Sequence, residues 1–392
     1  MRILTQSTSL DPLGGVELCT LQWTQALGAR GHSLSVAYTA DGAQRVDFTA
    51  AGARLHGPAR FGFDPRTAPR DLWRMGPSVR WAAGQDPDVV WVQRFEHSVW
   101  GHAVAAASRR PLVVHLHQEP ESRHVRLLGR GVSTFLATSE HTRRRWTAAG
   151  LPPERVRTVR NAVPEREYPV GTDADRRAAR AALGLPPHAF TALHYGRLWR
   201  PKGTGVVLEA WRRLGLGAEG HLLLVGQVDD PQVAAEIAQG QQEGWCTWLP
   251  NRPDVVTLLH ACDVVLFPTL LPEAFGRVAL EALLTARPVL ASAVGAVPEV
   301  LAGTPAGRLL PPGDVDALVD ALRATATSPE PARRAVEAAG WARREFSYER
   351  HLDELEDALQ HAASAGRGGV RASRGVPGRP ARSARGPAPV AG

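Results

Sequence analysis

The 392-residue sequence predicts an α/β protein of two doubly wound, Rossmann-like domains, with helices and a basic tail at its C-terminal end. Three observations carry that reading. Short apolar runs alternate with amphipathic stretches, the pattern of parallel sheets covered by helices. This pattern lapses once, between Pro164 and Pro187, and then restarts. The chain is also too long for one ordinary core, while 44% hydrophobic and 22% charged residues describe a globular body.

In the first domain, residues 1–164, the strand candidates are RILTQS, SLSVAY, DVVWVQ, PLVVHLH, TFLATS and VRTVRNAV. Helical patterns lie between them, such as ELCTLQWTQALGARG, whose last glycine suits a C-cap. Residues 165–187 read as a linker with one short helix. In the second domain, residues 188–335, the strands FTALHYG, HLLLVGQ, DVVLFPT, RPVLASA and GRLLPP alternate with helices. Residues 336–363 are helical, and 364–392 form a Gly/Pro/Arg/Ala tail too poor in apolar residues to build a core, hence expected to be disordered.

The net charge of +7 belongs mostly to that tail. Six arginines and no acid lie between Gly366 and Gly392, which leaves 40 bases against 39 acids elsewhere. A nearly neutral body argues against nucleic acid as a partner. The tail is expected to be solvated, with contact to an anionic membrane surface or to nucleic acid as the alternative. Three cysteines, widely spaced and odd in number, give neither a disulfide framework nor a metal knuckle, so a cytoplasmic location is expected. No signal peptide is read at the N-terminus, and no apolar run approaches the ~18 residues of a membrane span.

In doubly wound sheets, ligands bind beyond the carboxyl ends of strands. After the first strand, Gly14 and Gly15 in LDPLGGVE open a helix, where backbone N–H groups can approach an anion. The pair is not a dinucleotide fingerprint, and taken alone it is a turn. His115 and His117 in PLVVHLHQEP project to one face, His117 nearer the carboxyl end. Without other support each is a hydrogen-bonded structural histidine.

Arg197 and Lys202 flank the loop in GRLWRPKG, and Lys202 is the only lysine in the chain. Two cations at a strand end suit a diphosphate, Arg as a bidentate donor and Lys as a compact point charge. In PEAFGRVALEAL, Glu273 precedes Phe275 and Gly276, and a helix then carries Arg277 and Glu281. Eight helical positions would separate the carboxylates by ~12 Å, a span that matches a ligand with a sugar at each end. Carboxylates accept paired hydrogen bonds from vicinal hydroxyls, and free N–H groups at Gly276 and Arg277 could take phosphate oxygens between them. The plainer reading is a loop acid near a helix start and an exposed helical glutamate.

Taken in order, these motifs resemble the family-4 retaining glycosyltransferases. The likeness covers roughly Arg2 to His361 and includes GGVE, HLH, TSEHTRRRWTAAGLPPERVRTVRNAV, GRLWRPKG, the Glu273–Glu281 pair, RPVLAS and GAVPEVLAGTPAGRLLPPGD. The resemblance implies the GT-B fold, two domains facing each other across a cleft with the last helices crossing back. It implies that Arg197 and Lys202 hold the donor diphosphate, that Glu281 binds the ribose and that Glu273 contacts the donor sugar. Gly15 would approach the phosphates, and His117 would orient the sugar. The implied donor is a UDP- or GDP-sugar used as substrate, with no cofactor and no metal. The acceptor is a small-molecule, lipid-linked or glycan hydroxyl, with Arg94–His102 and Gln118–Arg126 as candidate contacts. The oligomeric state is left open, and cytoplasmic location includes attachment to the inner membrane face. Ala162, Ala286 and Ala296 stand where the family often has glycine, and Ala296 is expected in a loop facing the donor. The alternatives are a nucleotide-sugar epimerase of the same fold, a dinucleotide-dependent oxidoreductase, and a non-catalytic nucleotide-sugar or nucleic-acid binder.

Overall fold

The computed structural model describes residues 1–11 and 14–372. Its first sheet has seven parallel strands, β1 (Arg2–Ser9), β2 (Ser33–Ala40), β3 (Arg54–His56), β4 (Val89–Val92), β5 (Leu112–Leu116), β6 (Thr134–Ala137) and β7 (Val156–Thr158). Their spatial order is β3-β2-β1-β4-β5-β6-β7. The second sheet holds β8 (Phe190–Tyr195), β9 (Gly220–Val225), β10 (Cys246–Leu249), β11 (Val264–Phe267), β12 (Val289–Ser292) and β13 (Gly307–Leu310). Its order is β10-β9-β8-β11-β12-β13, again parallel throughout. Two such sheets, each covered by helices on both faces, make the GT-B architecture.

The central strands read as unbroken apolar runs because both of their faces are buried. All four residues of β4 and all four of β11 are buried. Strands β3 and β10 escape the sequence reading. They are short edge strands whose residues are mostly half-exposed, so neither an apolar run nor a clean alternation marks them. The VRTVRNAV candidate also shortens. Asn161 turns its side-chain oxygen onto the N–H of Ala162 at 2.9 Å, and the chain leaves the sheet toward the linker.

The linker helix, Asp173–Ala182, opens with a capping box between Thr172 and Asp175. Its Arg180 is almost wholly buried and donates to the carbonyls of Ala261, Pro187 and Ala189 and to Asp263. Tyr168, Ala179, Leu183 and Leu185 pack into the second domain's core. The linker is therefore fastened to the second domain.

Two helices end the described chain. Glu330–Glu345 packs Ala335, Ala338 and Ala342 against the second domain. Tyr348–Ala372 then crosses to the first, where Leu352, Leu355, Leu359 and Ala362 join Ile3, Trp23, Trp91 and Val113 in one cluster. Arg30 binds Glu349, Asp353 and Glu356 of this helix at 2.7, 2.8 and 3.1 Å. Because the helix runs on to Ala372, the boundary expected at residue 364 falls inside it. The remainder of the expected tail lies outside the described residues.

Candidate active site

Strand β8 delivers the Lys202 loop. Its base is fixed by His194, whose Nδ1 meets the Leu266 carbonyl and whose Nε2 meets the Thr204 hydroxyl, both at 3.1 Å. Residues Arg200–Lys202 form a 3-10 turn that ends at Gly203 with φ +80°. A Cβ on Gly203 would stand 1.9 Å from the Pro268 carbonyl oxygen, so only glycine allows this loop to press against the loop after β11. The Leu270 N–H donates to the Pro201 carbonyl at 2.9 Å and ties the same two loops. Pressed together in this way, Lys202 Nζ donates directly to Glu273 Oε1, with both side chains partly exposed.

Glu273 is held by its backbone. Its carbonyl accepts the Ala296 N–H at 2.8 Å, and Gly295, at φ +59°, lies so close that a Cβ there would be 2.3 Å from the Glu273 nitrogen. Ala296 itself is fully buried, and its N–H ties the loop after β12 to Glu273. Phe275 turns its side chain inward. Its ring is 5% exposed and packs edge-on against Phe346 at 5.8 Å, which makes it an anchor for the loop. Gly276, at φ +99°, caps the helix Arg277–Leu284. Among the described residues, the N–H groups of Phe275, Gly276 and Arg277 have no hydrogen-bond acceptor, which leaves donors at a helix start beside Lys202 and Glu273.

Glu281 is not an exposed helical acid. It is 4% exposed, and it accepts from Arg277 Nε at 2.6 Å and from the hydroxyls of Tyr168 at 3.1 Å and Tyr195 at 2.7 Å. Burial, with Glu281 adding to it, raises the pKa of both phenols, so they remain donors. The Arg277 guanidinium also reaches the first domain, at Gln22 Oε1 (3.0 Å) and Cys19 Sγ (3.5 Å). The motif marks Glu281 and Arg277 but not their partners, because a tyrosine at a strand end or in a linker has no spacing signature.

The other expected residues are more scattered. Arg197 is mostly exposed, lies over Trp199, and pairs with Asp229 at 3.2 Å rather than with Glu273. In the first domain, Gly15 opens the helix Gly15–Ala29, and a Cβ there would meet no atom within 4 Å. Gly14 precedes it in extended conformation. His115 and His117 do share a face, with ring centroids 4.2 Å apart, and both stack on Trp23. His117 Nε2 lies 3.4 Å from Gln93 Oε1, and His115 is wholly buried. Desolvation, with Arg94 and His351 adding to it, lowers the pKa of His117 to about 3, so the ring is neutral at physiological pH. In the candidate acceptor stretches, Arg94 pairs with Glu17 at 3.0 Å and Glu119 with His141 at 2.7 Å. No group of three or more His, Cys, Asp or Glu side chains among the described residues is arranged to hold a metal ion.

Two families of glycosyltransferase sequence match the chain. Residues 13–167 match Glycosyltransferase Family 4, and residues 189–328 match Glycosyl transferases group 1. The D-inositol 3-phosphate glycosyltransferase of Mycobacterium avium is 30% identical over 299 residues, 70% of this chain and 66% of that one. Its counterpart from Saccharomonospora viridis is 32% identical over 229 residues, 55% of this chain and 52% of that one. The chain therefore spans between half and two thirds of the length of these relatives. Among solved structures, Anabaena HepE in complex with UDP-glucose superposes with a TM-score of 0.79 at 25% identity, covering 92% of this chain and 100% of that one. The sucrose-phosphate synthase of Thermosynechococcus elongatus shares the fold, with a TM-score of 0.75 at 20% identity, 93% of this chain and 99% of that one.

Proposed function

Because the chain belongs to the family 4 glycosyltransferases of GT-B fold, we propose that it moves a sugar from a nucleotide-sugar donor, a UDP-sugar in the first instance, to an acceptor hydroxyl with retention at the anomeric carbon. The observation that carries this reading is the Lys202–Glu273 pair beside the unpartnered N–H groups at the start of the Arg277–Leu284 helix. The lysine and the N–H groups receive the diphosphate, and Glu273 accepts hydroxyls of the sugar. Glu281 grips the ribose. A carboxylate offers about four lone-pair positions, and the three protein donors leave one of them free. Arg197, on its exposed arm, swings from Asp229 to the phosphates when the donor arrives.

In the reaction, the bond between the anomeric carbon and the phosphate oxygen breaks and its electron pair goes to the diphosphate. The acceptor oxygen bonds to the same face of the carbon, and its proton passes to the departing phosphate. The protein supplies positive charge where the leaving group becomes more negative, through Lys202 and the helix start, so no metal is needed. Neutral His117 accepts or donates one hydrogen bond to orient the sugar. An inositol phosphate is the first acceptor to test, since it is the named substrate of the relatives from Mycobacterium avium and Saccharomonospora viridis.

A thermal-shift screen of UDP-, GDP-, TDP- and ADP-sugars, followed by incubation with inositol phosphate in chelator, tests the proposal. Free nucleoside diphosphate and a product with the donor's anomeric configuration are expected. An epimerised donor, an inverted product or a strict demand for Mg²⁺ would overturn it.

A further inference from the structure

The peptide that follows Glu273 is gripped from the opposite domain. The carbonyl of Ala274 faces three hydroxyls of the first domain, Thr138 Oγ1 at 3.0 Å, Ser139 Oγ at 2.7 Å and Thr142 Oγ1 at 3.0 Å. These hydroxyls stand at the start of the helix Glu140–Ala148, whose N-cap is Ser139. The same helix start is held a second time. Glu299, from the helix Val297–Leu301 of the second domain, accepts the Glu140 N–H at 3.0 Å and the Arg144 guanidinium at 2.9 Å. Thr138, Ser139 and Thr142 are all buried, so these bonds are shielded from water, where hydrogen bonds are stronger and an unmet donor is costly.

A peptide unit is planar and trans, so its C=O and N–H point in opposite directions. Hydroxyls that hold the Ala274 carbonyl toward the first domain therefore aim the Phe275 N–H the other way. That N–H, with those of Gly276 and Arg277, has no acceptor among the described residues. One carbonyl has two lone pairs, so three hydroxyls exceed what it needs and hold its orientation through small shifts of either domain.

We propose that Thr138, Ser139, Thr142 and Glu299 are positioning residues of the donor site. They form a hydroxyl clasp that fixes the 274–275 peptide, so that the first of the diphosphate-binding N–H groups, that of Phe275, is aimed only while the two domains are clasped. This rests on the diphosphate reading given above. It goes beyond that reading by assigning part of the donor site's geometry to three first-domain hydroxyls and to Glu299, which holds their helix start from the second domain. The clasp joins the two domains through the peptide next to Glu273.

The test compares UDP with uridine, which lacks the phosphates, by titration into the wild type, Thr138→Val/Ser139→Ala/Thr142→Val, Glu299→Gln and Lys202→Ala. The triple variant should bind UDP about tenfold more weakly and uridine as the wild type does, and Glu299→Gln should show a smaller loss of the same kind. Unchanged UDP affinity in both clasp variants, or an equal loss for UDP and uridine, overturns the clasp. If the triple variant fails to fold, Glu299→Gln alone decides by the same criterion. If Lys202→Ala weakens UDP while the clasp variants do not, only the clasp fails. If Lys202→Ala binds UDP normally, or the wild type binds no UDP, the diphosphate reading fails with it.

Discussion

Lys202 stands in a chain that otherwise uses arginine for every positive charge, and it meets Glu273 across two loops packed as closely as Gly203 allows. A compact ammonium fits that spacing, whereas a guanidinium is broader and forks its donors. Lys202→Arg should therefore lower turnover at least tenfold despite its retained charge, measured as release of UDP from UDP-glucose. Activity equal to wild type would remove compactness as the reason for the lysine. Ala286 poses a different residue-scale question. Its φ of +57° is left-handed, as the glycine usual in the family would permit. An L-residue there costs roughly 1–2 kcal/mol, and a glycine gives back part of that through the freedom of the unfolded chain. Ala286→Gly should stabilise the protein by about 0.5–1 kcal/mol in urea unfolding. Sequence spacing singled out Lys202 and Glu273, which the fold pairs, because strand-end loops are legible. It did not foretell the burial of Glu281 or of the Phe275 ring, since burial depends on neighbours far away in sequence, such as Tyr168 and Phe346.

At the scale of elements, two joints carry the site. The first is Gly203 against Pro268, and a methyl at 1.9 Å from a carbonyl oxygen cannot be accommodated without moving the loop. Gly203→Ala should cost more than about 2 kcal/mol in thermal unfolding and abolish UDP binding, through both the clash and the strained φ. The second is the crossing helix Tyr348–Ala372, whose Leu355 and Leu359 are fully buried against the first domain. Truncation after Phe346 should expose that face and yield aggregating protein, seen as loss of the monodisperse peak in gel filtration. Central strands and amphipathic helices were readable from their periods. The edges β3 and β10 were not, because three or four half-exposed residues hold too little pattern to separate a strand from a loop.

For the molecule as a whole, a set of buried histidines ties stability to pH. Desolvation is the first cause in each case, and it lowers His97, His194 and His351 to about 4 and His117 to about 3. An unfolded chain binds protons on these rings near the ordinary value of 6.5, so below that pH the unfolded state takes up more protons than the native state. Stability should be complete above about pH 6.5 and should fall as the pH drops toward 4. Urea midpoints at pH 7 and pH 5 check this, and equal midpoints would contradict the burial of these rings.

The two-domain design makes its own demand, because Lys202 and Glu273 belong to the second domain while the carbonyl beside Glu273 is held by the first. The claim on which everything else depends is that this junction receives a nucleotide-sugar diphosphate. Calorimetric titration of UDP-glucose into wild-type and Lys202→Ala protein tests it most directly. The wild type should bind saturably, and Lys202→Ala should lose at least thirtyfold in affinity with an unchanged melting temperature. Equal affinities in the two proteins would contradict it.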